Sequence, residues 1–147
     1  MASQDALLRD ANAATQLGNS ISLKMIDFLN QVKNQPLGFK GLGVEFLGIC
    51  KILNALEERL GEHFSTNQPF PEQAISELQK ILDKTTRDFV QLQDLLQKFM
   101  DYETGGAVAM LQKTWRTLFA DKDISKVSSS LQESKGALNM AMLLTNM

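Results

Sequence analysis

The chain has 147 residues, 44% of them hydrophobic and 22% charged, with three prolines; that is the length of one domain and the balance of a chain that buries a core, which excludes a disordered tail. Its 15 basic and 17 acidic side chains leave a net charge of −2, removing the overall basic field that nucleic acid or an anionic lipid surface would need. With Cys50 as its one cysteine, an internal disulfide is impossible, and a cytoplasmic home is expected.

The leading residues MASQDALLRDANAATQ carry Asp5, Arg9 and Asp10 where a secretory signal would be apolar, so the chain reads as mature. Helical spacing then dominates. Ala14, Leu17, Ile21, Met25, Phe28 and Val32 form a stripe on a first helix from about residue 4 to residue 33, which ends before Asn34, Gln35 and Pro36.

The stretch GFKGLGVEFLGIC follows, with Gly38, Gly41, Gly43 and Gly48 among large apolar side chains. The four-residue gaps between glycines resemble a phosphate loop, but Val44 and Ile49 stand where lysine is required and no strand precedes them. A helix start is what remains, its glycines implying either close approach of a neighbouring helix or a flexible first turn. Its stripe runs through Leu42, Phe46, Ile49, Leu53, Leu56 and Leu60, and Gly61 is expected to close it as a left-handed cap.

His63, the sole histidine, reads as a surface loop residue without a second ligand nearby. Cys50, beside Ile49 and Leu53, reads as a buried inert thiol.

A third helix begins near Pro71 and Glu72 and steps through Ile75, Leu78, Leu82, Thr85, Phe89, Leu92, Leu96 and Phe99, with Thr85 the one polar interruption. Asp83 with Arg87, Lys84 with Asp88 and Asp94 with Lys98 are placed as exposed i,i+4 pairs. After Gly105 and Gly106 a shorter helix would align Val108, Leu111, Trp115 and Leu118.

The last helix begins at Asp121 or Asp123 and aligns Ile124, Val127, Leu131, Ser134, Leu138 and Ala141. From residue 136 onward it becomes apolar nearly all round, which points to burial as a central helix or to an interaction surface made of Leu138, Met140, Met142, Leu143, Leu144 and Met147. The C-terminal third is mildly basic, with Lys113, Arg116, Lys122, Lys126 and Lys135 against Asp121, Asp123 and Glu133, too small an excess to imply nucleic-acid binding.

These elements predict an all-α fold, an up-and-down bundle of four to five antiparallel helices in a single domain spanning residues 1–147. Sequential helices are expected to be antiparallel neighbours because their connections are short, apart from roughly nine residues at 62–70. No metal, cofactor or catalytic constellation suggests itself: carboxylates alternate with lysines on outward positions, and no Glu-x-x-His pair occurs. No run approaches the roughly 18 to 20 apolar residues of a membrane-spanning helix.

Three stretches carry a family likeness: IDFLNQVKNQPLGFKGLGVEFLGICKILNAL, LQKILDKTTRDFVQLQDLLQKF and WRTLFADKDISKVSSSLQESKGALNMAMLL, the last with Lys135 and Leu138 at its lysine and leucine positions. Over residues 20–147 the chain resembles the N-terminal helical domains of fungal NLR-like receptors, the STAND proteins in which such a bundle precedes a NACHT or related NTPase. The resemblance implies a non-enzymatic signalling domain without a cofactor, part of a larger receptor with an NTPase downstream. It would act through self-association or a protein partner to trigger regulated cell death. In the related HeLo-like domains the output is membrane-directed, and the alternative is a membrane-permeabilising execution domain. The polar first helix, with Asp5, Arg9, Asp10, Asn12, Gln16 and Asn19, departs from an apolar leading helix and favours signalling.

Overall fold

A computed structural model describes residues 4–31, 38–66, 70–104 and 121–145. Four helices account for nearly all of them: α1 (Gln4–Gln31), α2 (Phe39–Ser65), α3 (Glu72–Thr104) and α4 (Asp121–Leu144). The protein is an all-α bundle. The helix expected through Val108, Leu111, Trp115 and Leu118 lies outside the described residues.

On the four described helices the stripes form the buried sides, with Val32 outside the described residues. All eight positions from Ile75 to Phe99 are buried on α3, as are Leu42, Phe46, Ile49, Leu53, Leu56 and Leu60 on α2 and the whole series Ile124 to Ala141 on α4. On α1 the stripe extends further back than the spacing suggested, through Ala11 to Leu7, both fully buried. The two hydroxyls on the stripes are satisfied: Thr85 Oγ1 donates to the Ile81 carbonyl at 2.8 Å, and Ser134 Oγ donates to Asp88. A buried hydroxyl with a partner costs the core little.

Contacts along the helices give their directions. Asn12 meets Glu57, Ser22 meets Cys50 and Phe28 meets Phe39, so α1 and α2 run antiparallel. Asp10 meets Gln79 and Phe28 meets Phe99, so α1 and α3 run parallel. Gly38 lies by Ile124 and Glu45 pairs with Lys135, so α2 and α4 run parallel. Neighbouring corners of the bundle are therefore α1 with α2, α2 with α4, α4 with α3 and α3 with α1.

Helix direction alternates along the chain, yet α2 and α3, consecutive in sequence, occupy opposite corners and meet only across the centre. Phe39 lies 5.3 Å from Phe99 and Phe46 lies 5.1 Å from Phe89, ring centre to ring centre. The expectation that every sequential pair would be neighbours fails at this crossing. Its chain carries buried Phe70, whose ring stands 4.4 Å from His63 and 5.9 Å from Phe64, so the crossing is anchored by its own aromatic contacts.

Two local expectations also change. Gly61 does not cap α2; the helix continues to Ser65 and ends at Thr66, whose N–H donates to the His63 carbonyl at 3.3 Å. Since Leu60 is buried and Phe64 packs against the core, one more turn of helix gains apolar contact. His63 accordingly sits half-buried in the last turn of α2, stacked edge-on with Phe70, instead of in a surface loop.

Candidate functional site

Along the C-terminal run, the residues expected to act together divide between inside and outside. Leu138 is fully buried, Met142 and Leu144 pack half-buried against the core, and Met140 and Leu143 are each 64% exposed. Met147 lies outside the described residues. Among the described helices α4 takes one of four corners, with Met140 and Leu143 on its outward side.

The glycine-rich start resolves into separate roles. Gly38 adopts φ 84°, a left-handed conformation that a side chain would strain, and its carbonyl accepts the Leu42 N–H at 3.0 Å. Gly41 faces open space, while a methyl on Gly43 would find ordinary contact with Met25 and Leu29 at 3.7 Å. At Gly48 it would stand 3.9 Å from Lys135 Nζ. None of these three is required by a close helix approach. The close approach lies at Gly18, where a methyl would stand 3.0 Å from Phe89 Cε2 and 3.2 Å from Cys50 Sγ.

Cys50 is buried, with its sulfur 3.6 Å from Ser22 Oγ. Burial pushes its thiol above the ordinary range, only partly opposed by the Ser22 contact. A thiol held protonated is a poor nucleophile.

The densest polar cluster was not expected to be inside. Lys84 and Asp88 pair at 3.0 Å, but Asp88 is 4% exposed and lies against α4. Ser130 Oγ donates to Asp88 Oδ1 at 2.6 Å, and Ser134 Oγ donates to Oδ2. Lys84 Nζ also donates to the Ser130 carbonyl at 3.1 Å and to Ser134 Oγ at 3.0 Å, with Glu133 at 3.7 Å. The pair taken as exposed support for α3 is instead the polar centre of the α3–α4 seam. A serine beside lysine and aspartate is also a nucleophile's setting, but Ser134 is fully buried and its hydroxyl is committed to Asp88. The arrangement binds helix to helix.

On the outer side of α1 and α2 a groove of about 630 Å³ is lined by Asp5, Arg9, Asn12, Glu57, Glu58 and Glu62 among others. Glu57 Oε1 accepts from Asn12 Nδ2 at 3.0 Å, whereas its Oε2 is shielded from solvent without a donor. Among the described residues no group of His, Cys, Asp and Glu could hold a metal ion, and no helix is long and apolar enough to cross a membrane. Comparison with protein-family models, with curated proteins and with solved structures finds no match to this chain.

Proposed function

We propose that the chain is a non-enzymatic signalling bundle, the N-terminal domain of a fungal NLR-like receptor of the STAND type. Clustering of the receptor brings copies together, and self-association or docking of a protein partner triggers regulated cell death from the cytoplasm. The reading is supported by the family resemblance over residues 20–147 and by an all-α bundle of the expected class.

One observation carries it furthest. Met140 and Leu143, one turn apart near the end of α4, are each 64% exposed and offer apolar area to a partner. Fusing the chain to an inducible oligomerisation module in fungal cells tests the proposal. Induced clustering is expected to kill, and a Met140→Glu, Leu143→Glu variant of unchanged stability is expected not to. Survival after clustering of the unmodified chain would end the reading.

A second reading, membrane action after activation, draws on another exposed set: Leu23 at 68%, Ile26 at 45% and Val44 at 67%. The register that sets Met25 beside Gly43 and Ser22 beside Cys50 brings these residues to the same level of the α1–α2 pair. Leakage from anionic liposomes on clustering, lost in Leu23→Glu, would favour it over signalling.

A further inference from the structure

The four helices are not held by the same kind of contact. α1, α2 and α3 share the aromatic core: Phe28, Phe39 and Phe99 form one set with ring centres 4.7 to 5.9 Å apart, and Phe46 with Phe89 forms another. α4 has no aromatic residue anywhere in its length. It offers Ile124, Val127, Leu131, Leu138 and Ala141, with Ser134 in the middle of the row.

Polar contacts flank that row on both sides. Ser130 and Ser134 engage Lys84 and Asp88 of α3, and Lys135 pairs with Glu45 of α2 at 3.8 Å. The two kinds of contact respond differently to opening. Exposing the phenylalanine core gives nothing back, because apolar surface returns to water uncompensated. Opening the α3–α4 seam rehydrates Asp88 and the serines, while Lys84 and Asp88, four apart on α3, keep each other.

We propose that α4 is a detachable helix, latched to α3 through Lys84, Asp88, Ser130 and Ser134, which opens as a unit while α1, α2 and α3 stay folded. Release bares its row from Ile124 to Ala141, and with Met140 and Leu143 already outward, its last two turns become apolar on every side but that of Asn139. The release is a property of the monomer. Use of the freed helix in self-association rests on the function proposed above.

Native-state hydrogen exchange on the full chain at low concentration tests the release without requiring association. In the unmodified protein, α4 amides are expected to exchange with a shallower urea dependence than those of α2 and α3, since a partial opening exposes less surface. Ser134→Ala is expected to speed α4 exchange by roughly ten- to a hundredfold, the range set by a hydrogen bond to a charged group. Phe28→Leu weakens the ring set shared by α1, α2 and α3, which stays folded when α4 leaves, so it is expected to speed α1, α2 and α3 exchange and leave α4 exchange unchanged. If α4 amides instead follow Phe28→Leu in step with the other helices, or share their urea dependence in the unmodified chain, α4 does not open separately and the proposal is overturned. An effect on exchange without self-association would leave the latch standing and remove only its proposed use.

Discussion

At single residues, the packing around glycine decides the sign of a substitution. Gly18→Ala is expected to destabilise by up to ~2 kcal/mol, because overpacking costs ~1–3 kcal/mol and the gain in helix propensity returns about 1. The neighbours that would have to yield, Phe89 and Cys50, are themselves buried. Gly41→Ala, facing open space within α2, is expected to stabilise by up to ~1 kcal/mol. Urea midpoints of the two variants read both signs. Clustered glycines at 38–48 drew attention in the sequence, yet only Gly38 there needs its freedom; the isolated Gly18 within α1 carried the tighter constraint. An isolated glycine in a helical pattern is the signal that could have found it. Cys50 gives a pH prediction. Its native thiol holds its proton above the ordinary range, so below the unfolded range of about 8.5 both states are protonated and stability is complete. As pH rises past that value the unfolded chain ionises first, and stability falls until the native thiol ionises as well. The urea midpoint is expected to drop as pH rises above about 8.5, and Cys50→Ala is expected to lack that component.

Between elements, the stripes were legible and the latch was not. Lys84 and Asp88 four residues apart look the same in a sequence whether they face water or a neighbour. The distinguishing signal was a second row on α3, Ile81, Thr85, Asp88, Leu92 and Leu95, whose apolar members flank the aspartate, together with Ser130 and Ser134 at helical spacing on the facing segment. That row widens the buried face of α3 enough to serve both α1 and α4. Asp88→Ala is expected to destabilise by about 3 kcal/mol, the lower end for breaking a buried pair, because Lys84 keeps a third of its side chain in solvent. Replacing the cluster by apolar groups, Lys84→Met, Asp88→Leu and Ser134→Ala together, is expected to be near neutral, since no buried charge is then left alone. Thermal melts of the single and triple variants separate a pairing effect from lost volume.

For the molecule as a whole, the periodicity made the helices and their buried faces readable but said nothing about which corners they take. A stripe states how much of a helix is covered, and two arrangements of four helices cover the same stripes. The choice was made at the centre, where Phe39, Phe46, Phe89 and Phe99 bring α2 and α3 across the diagonal. In consequence the chain is two antiparallel hairpins, α1 with α2 and α3 with α4, laid side by side with like-directed helices touching. Among the described rings, those of α3 meet Phe28, Phe39 and Phe46 of the other hairpin, so the centre of the core is shared between the two halves. A chain divided between Thr66 and Phe70 should give two fragments with little helix apart that regain it on mixing, observable by circular dichroism at 222 nm as a concentration-dependent recovery. Fragments fully helical on their own would contradict this. For the intact chain, residues far apart in sequence must meet before either hairpin is worth keeping, so this bundle is expected to refold more slowly than one whose helices touch only their chain neighbours. The crossing at Phe70 thus makes the protein a covalent dimer of two incomplete halves, each of which serves as the folding template for the other.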